Sequence, residues 1–170
     1  MTQAMTQTAA SLTSRDNYYE DFVEGDVWRH ARGKTMTEMD NVLLTNLVLN
    51  TAEGHFNEDR MQKSGGGIFS QRVVFGGINL SFVIGLAAQD TGEQVIAEVA
   101  MDKVRLRHPV FHGDTLYAFT EILEKTDSDR ADAGHVRFRH YGINQNEKMC
   151  VEAERLVLMK KRAFWTKGGE

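Results

Sequence analysis

The sequence has little cysteine, no long apolar run and no excess of positive charge, and each shortage excludes a class of protein. Cys150 is the only cysteine among 170 residues, so an intrachain disulfide and a zinc site of several thiolates are both excluded. No apolar run reaches the roughly 18 residues of a membrane-spanning helix. The net charge is −4, whereas phosphate binding needs concentrated positive charge. We therefore expect a cytoplasmic protein that uses neither a membrane nor a nucleic acid as its partner.

The length and composition are typical of a single folded domain. Hydrophobic residues make up 41% of the chain, which is enough for one core. The first 17 residues are rich in threonine, serine and alanine and lack the apolar segment of a secretory signal. The sequence therefore predicts a flexible N-terminal tail at 1–17 and a folded domain at 18–165.

A capped helix and a polar loop follow each other in the first half of the chain. In "TEMDNVLLTNLVLN", Thr37 can cap a helix with Asp40 at the third helical position, and apolar residues recur at helical spacing. This helix is expected to stop near Asn50. The following segment, 50–67, is polar and ends in three glycines, which is typical of a surface loop, and loops of this length are often functional.

A second helix is predicted at 77–89, because almost every residue there is apolar or small. Gly77, Ser81 and Gly85 are spaced four apart, so one face of the helix is nearly bare backbone. A curved sheet, a second subunit or a ligand could approach that face closely.

Strand patterns dominate the rest of the chain. Four β-rich segments follow Gly92, and short turns at 108–114, 126–134 and 144–148 connect them. Long consecutive strands with such connections favour an antiparallel sheet. The expected fold class is α+β, with a sheet of about five strands curled around one long buried helix.

Several motifs, taken together and in order, resemble one known family. "TMTEMDNVLLTNLVLN" is similar to a Thr-x-x-Asp helix, "NTAEGHFNED" lies where that family has its Asp-x-Asn-Pro-x-His-x-Asp motif, and "PVFHGDTL" matches its Pro-Val-x-x-Gly-Asp-Thr-Leu turn. These are features of the MaoC-like dehydratases, which include the (R)-specific enoyl-CoA hydratases and have a single hotdog domain. The resemblance covers roughly residues 18–160. It is greatest to a branch that acts on branched, carboxylated thioesters such as mesaconyl- or itaconyl-CoA.

The resemblance implies a catalytic pair in the loop after the first helix. His55 takes the position of the family histidine and would act as the base that removes a proton from water. Asn50 lies five residues earlier, where the common family pattern has an aspartate. An amide cannot act as a base, but its carbonyl oxygen can accept a hydrogen bond from the water and orient it.

Four further residues are predicted to bind the substrate. The backbone N–H groups of Gly76 and Gly77, at the start of the long helix, could stabilise the negative charge that develops on the thioester oxygen. Ser81 matches a family position that lines the pocket. Arg72 precedes the helix and could pair with a substrate carboxylate, although an ordinary surface arginine is the alternative.

The sequence therefore predicts a lyase that adds water to a short, branched or carboxylated enoyl-CoA, with no cofactor. Two other functions stay open: a hotdog acyl-CoA thioesterase, and a non-catalytic subunit that binds acyl-CoA. No metal site is expected, because the histidines other than His55 lack ligand spacing. A homodimer or a dimer of dimers is expected, because a lone curved sheet leaves edges and apolar surface uncovered.

Overall fold

The computed structural model describes residues 10–12, 14–63 and 68–166, so the glycines at 65–67 lie outside the described residues. The strands are β1 Ala10–Leu12, β2 Val27–Thr35, β3 Val95–Leu106, β4 Thr115–Asp127, β5 Ala133–Asn144 and β6 Met149–Lys160. The helices are α1 Glu38–Leu47, α2 Glu58–Lys63, α3 Gly76–Thr91 and α4 Arg162–Trp165, with 3-10 turns at Tyr19–Asp21 and Glu53–His55. Within these residues, no helix is long and apolar enough to cross a membrane.

The strands form one sheet in the order β1-β2-β4-β5-β6-β3. The short β1 lies within the predicted tail and runs parallel to β2, whereas every other neighbouring pair is antiparallel. The strands β4, β5 and β6 form the expected meander, while β3 pairs with β6 at the far edge rather than with β4.

Helix α3 is the long helix that the sequence predicted, and it packs against β2, β4, β5 and β6. It buries Ile78, Val83 and Ala87 in the core. An antiparallel sheet around one long helix is the hotdog arrangement, so the predicted α+β fold is confirmed. The small residues Ser81 and Gly85 of this helix do not pack against the sheet. Ser81 is exposed, and a Cβ placed on Gly85 would meet no atom within 4 Å. The sheet of the same chain therefore does not cover that face.

Helix α1 begins as expected and leaves its apolar face uncovered. Thr37 and Asp40 form a capping box, in which the Thr37 hydroxyl accepts a hydrogen bond from the Asp40 N–H. The side chains that α1 buries are polar, Asn41 and Thr45. Most of its apolar side chains are exposed, and Met39 reaches 70%. An exposed apolar helix face of this kind is typical of a surface that meets another chain.

A buried carboxylate on β6 joins three strands of the sheet. Glu154 is 2% exposed and accepts hydrogen bonds from Lys103 on β3 at 2.9 Å and from Arg139 on β5 at 2.7 Å, and Arg137 lies at 3.2 Å. Desolvation by burial raises the pKa of Glu154, but the hydrogen bonds and charges of Lys103 and Arg139 outweigh it and bring the pKa down to about 2.

We expect Glu154→Gln to lower the free energy of unfolding at pH 7 by about 2 kcal/mol, because the cations lose their shared carboxylate. The folded-state pKa lies below the unfolded one. The contribution of Glu154 is therefore complete above about pH 4.5 and is lost as the pH falls towards 2. Urea unfolding at pH 7 and at about pH 3 measures this, with Glu124→Gln on the exposed side of β4 as the control. A loss that is equally large at both pH values would contradict the prediction.

Candidate active site

A cavity of about 370 Å³ opens beside the start of α3. Its walls come from the Glu53–His55 turn, the segment before α3, the first turn of α3, and the end of β3 with the residues that follow it. The polar side chains in the wall belong to His55, Asn79, Arg107 and His108, and the remaining lining is largely apolar. A largely apolar cavity with few polar groups is typical of a small-molecule site.

The His55 ring is held in one orientation. Its Nδ1 lies 2.8 Å from the carbonyl oxygen of Val73, and only an N–H can satisfy that oxygen. Nε2 is therefore the nitrogen that carries the lone pair. The carbonyl of Gly54 accepts a hydrogen bond from the Val73 N–H at 3.0 Å, which ties the turn to the same segment. This arrangement leaves His55 half-buried in the cavity wall with one nitrogen able to accept a proton.

The start of α3 provides free backbone donors next to this ring. The N–H groups of Gly76 and Gly77 lie in the first helical turn and donate to no acceptor among the described residues. Gly76 lines the cavity, and a Cβ at that position would collide with the side chain of Leu106. A glycine is therefore needed there for close packing, and it also lets a ligand approach the backbone.

Four of the predicted site residues lie outside the cavity wall, namely Asn50, Arg72, Gly77 and Ser81. The Arg72 guanidinium pairs with Glu58, with Nε 2.8 Å from the carboxylate, and with Glu38, and the hydrogen bond that Arg72 donates to Glu58 raises the pKa of Arg72. The Ser81 hydroxyl donates to the carbonyl oxygen of Gly77 at 2.8 Å on the open face of α3. The cavity gives no support to the substrate-binding roles predicted for Arg72 and Ser81.

Asn50 lies beyond the end of α1 and is also outside the cavity wall. Its Oδ1 accepts a hydrogen bond from the Ala52 N–H at 2.9 Å, which stabilises the turn that leads to His55. An amide oxygen has a second lone pair, so a water could still be oriented by it. The role of Asn50 in orienting water stays a prediction.

Sequence reasoning missed Asn79, Arg107 and His108, which all line the cavity. Asn79 is 5% exposed, and its Oδ1 has no donor among the described residues. A polar residue in an otherwise apolar helix was the available signal for Asn79. No sequence signal marked Arg107 and His108, because the strand before them also contains cations and nothing distinguishes these two residues.

The arrangement can support addition of water to a polarised double bond. It combines an oriented base, a pair of free N–H donors and, at Arg107, a cation that can bind an anion. The part of the chain that the structure covers contains no group of three or more His, Cys, Asp and Glu side chains placed to hold a metal ion.

Comparisons with a family model and with curated proteins each find a match. The model of a family described as mesaconyl-CoA hydratase matches residues 18–161. The beta-methylmalyl-CoA dehydratase of Chloroflexus aurantiacus is 34% identical over 125 residues, which are 72% of this chain and 34% of that protein. The chain thus spans about a third of the length of this curated relative.

Solved structures agree on the fold. A MaoC domain protein of Chloroflexus aurantiacus is 28% identical with a TM-score of 0.78, and the match covers 86% of this chain and 45% of that chain. A Mycobacterium tuberculosis protein with a double hotdog fold is 21% identical with a TM-score of 0.77, over 91% of this chain and 47% of that chain. This chain therefore matches about half of each of these two longer chains.

Proposed function

The chain belongs to the mesaconyl-CoA hydratase family, and on this premise we propose that it is a hydro-lyase that adds water to the double bond of a short enoyl-CoA thioester. The observation that carries the proposal is the position of His55. Its Nδ1–H is held by the Val73 carbonyl, while its ring lines a cavity that also contains Gly76 at the start of α3.

The proposed reaction transfers one proton from water to His55 and one proton to the α-carbon of the thioester. His55 Nε2 takes a proton from water while the water oxygen bonds to the β-carbon of the thioester. Negative charge moves to the thioester oxygen, where the N–H groups of Gly76 and Gly77 stabilise it. The α-carbon then gains a proton, which restores the neutral imidazole when His55 supplies it.

Two amides are candidates for orienting the water. Asn50 has the position that the family motif predicts, and Asn79 lies in the cavity wall with a buried oxygen that no described residue satisfies. A buried acceptor without a donor costs free energy unless a ligand group or water supplies one. This favours Asn79 as the residue that contacts the water or the thioester.

We further propose that the substrate carries a carboxylate. Arg107 lines the cavity, its side chain is 49% exposed, and it has donors beyond the single contact of Nη2 with Glu152 at 2.9 Å. A guanidinium can bind a carboxylate through two parallel hydrogen bonds. Arg107 thus takes the role that the sequence suggested for Arg72.

The proposed assembly is a homodimer, alone or as part of a dimer of dimers. The strand β3 is the last strand of the sheet, and it exposes Val99 and Met101 to 50% and 47%. Leu106, at its end, also lines the cavity. A second copy on this edge would therefore lie next to the site. It would also supply a second hotdog unit, as the Mycobacterium tuberculosis protein contains within one chain.

Light scattering at micromolar concentration should show at least a dimer. We expect the double substitution Val99→Lys and Met101→Lys to shift the protein towards the monomer, because it places charge on the proposed interface. Val23→Lys is the matched control, since Val23 is equally exposed but lies outside the sheet. A wild-type protein that stays monomeric would contradict the assembly.

We also propose a cytoplasmic location, because the single thiol suits a reducing compartment. Burial raises the pKa of the Cys150 thiol to about 11, so this cysteine is a structural residue rather than a nucleophile.

A panel of enoyl-CoA thioesters, assayed in parallel for loss of the double bond and for release of free CoA, tests the proposed function. Loss of the double bond without free thiol supports the hydratase. Release of CoA supports the thioesterase alternative. Binding of the thioesters with neither reaction supports the non-catalytic alternative.

A further inference from the structure

The buried amide of Asn41 contacts the back of the candidate site. Asn41 is fully buried on α1, and its Nδ2 lies 2.6 Å from the carbonyl oxygen of His55 and 3.0 Å from Nε2 of His112. A longer contact of 3.4 Å reaches the carbonyl oxygen of Val73. That same oxygen accepts the hydrogen bond from the His55 ring. Asn41 therefore contacts both the backbone of the proposed base and the group that orients its ring.

The oxygen of the same amide contacts the residue before α3. Asn41 Oδ1 accepts a hydrogen bond from the backbone N–H of Phe75 at 3.1 Å and lies 3.3 Å from the hydroxyl of Thr45. Phe75 directly precedes Gly76, whose N–H is a proposed oxyanion donor. One side chain thus connects the turn that carries the base to the start of the helix that carries the donors.

The orientation of this amide follows from its partners. The His55 carbonyl needs a donor and the Phe75 N–H needs an acceptor, so the nitrogen and oxygen of Asn41 cannot be exchanged. His112 accepts with Nε2. Desolvation by burial and the nearby charge of Arg72 lower the pKa of His112, which favours the neutral ring that such a contact needs.

We propose that Asn41 is a positioning residue that fixes the His55 ring, in one tautomer, at a set distance from the N–H groups at the start of α3. The proposal rests on the proposed function, because it assigns Asn41 a part in the reaction at that site. A base and a charge-stabilising donor act on the same substrate, so their relative positions affect the rate more than substrate binding does.

Two variants separate the two ends of the amide. Asn41→Asp keeps the oxygen that accepts from Phe75 but removes the donors to His55 and His112. Asn41→Ala removes both. We expect each to lower kcat by about 10- to 100-fold, as is usual for groups that orient a working side chain, with a smaller change in KM. The acidic limb of the kcat/KM profile should also move.

A direct measurement uses nitrogen-15 NMR of the imidazole rings, with the His55 signals assigned from His55→Gln. The wild type should carry its ring proton on Nδ1, whereas the Asn41 variants should show the proton shared between the two nitrogens. Thr45→Val is the matched control, because it removes only the hydrogen bond that the Thr45 hydroxyl donates to the same amide and leaves the bonds from the amide to His55 and Phe75 in place. It should leave the tautomer and kcat unchanged.

Failure of the proposed function and failure of the role proposed for Asn41 give different results. If the wild type hydrates no thioester, the proposed function fails and the NMR comparison alone decides the role of Asn41. If both Asn41 variants keep the wild-type tautomer and pH profile, the proposal is overturned. It is also overturned if kcat falls only in proportion to the loss of folded protein, measured by circular dichroism. Should Asn41→Ala not fold, Asn41→Asp gives the same test.

Discussion

His55→Ala should lower kcat for hydration by roughly 100- to 10,000-fold, the usual contribution of a general base. The physical reason is that Nε2 of His55 is free to accept a proton in the cavity wall, since Nδ1 donates to the Val73 carbonyl. Single-turnover and steady-state rates with the best thioester of the panel measure the effect. The wild-type kcat/KM should fall as the pH is lowered, because a protonated imidazole cannot accept the proton.

Three further variants serve as controls for the His55→Ala experiment. His135→Ala changes a half-buried histidine on β5, outside the cavity wall, and should leave kcat within about twofold of the wild type. Asn50→Ala and Asn79→Ala should each cost less than His55→Ala, because water can partly replace an orienting amide. The larger of the two losses identifies the amide that orients the water.

Asn50→Asp restores the acid of the common family pattern and should leave measurable hydratase activity. If His55→Ala keeps nearly full hydration of every accepted thioester, the loop that contains His55 is structural. The thioesterase or the non-catalytic function then becomes the better explanation.

Arg107→Met should lower kcat/KM for a carboxylated enoyl-CoA by about 10- to 100-fold, the equivalent of one charge-assisted hydrogen-bonded contact. The activity on crotonyl-CoA, which has no free carboxylate, should change little. The loss should be mainly in KM, because the carboxylate is bound equally in the ground state and the transition state. Methionine keeps much of the apolar length of arginine, so the cavity wall stays filled.

Arg105→Met is the matched control for this experiment. Arg105 and Arg107 share the carboxylate of Glu152, each with a nitrogen 2.9 Å from Oε1, but Arg105 is not part of the cavity wall. Loss of the common ion pair therefore affects both variants, and loss of substrate contact affects only Arg107→Met. An equal decrease for both variants, or an equal decrease for both thioesters, would show that Arg107 does not recognise the carboxylate.

Local features of the fold were predictable because their causes lie within a few residues of each other. The capping box needs only Thr37 and Asp40, three positions apart, and it is present as expected. The extent of α3 follows from a run of apolar and small residues, and the predicted 77–89 differs from the observed helix by one residue at the start and two at the end. The antiparallel pairs β4–β5 and β5–β6 follow from short connections between β-rich segments, whereas the pairing of β3 with β6 does not.

The candidate site was predictable only where a motif marks a residue. His55 and Gly76 line the cavity, as the motif and the helix start suggested, while Arg72 and Ser81 have partners elsewhere. A salt bridge depends on which side chains the fold brings together. The sequence places Glu58 14 positions before Arg72 but does not show that α2 aligns the two.

By itself, the sequence determined most of the secondary structure and the α+β class, because hydrogen bonding and hydrophobic periodicity act over short distances along the chain. The family motif added the hotdog arrangement and marked His55 as the proposed base. Only the tertiary structure decided which polar groups meet at the cavity. Asn41 reaches Val73 across 32 positions, and Arg107 reaches the wall because β3 ends beside α3. Such contacts depend on how the sheet curves around the helix, and no local pattern encodes that curvature.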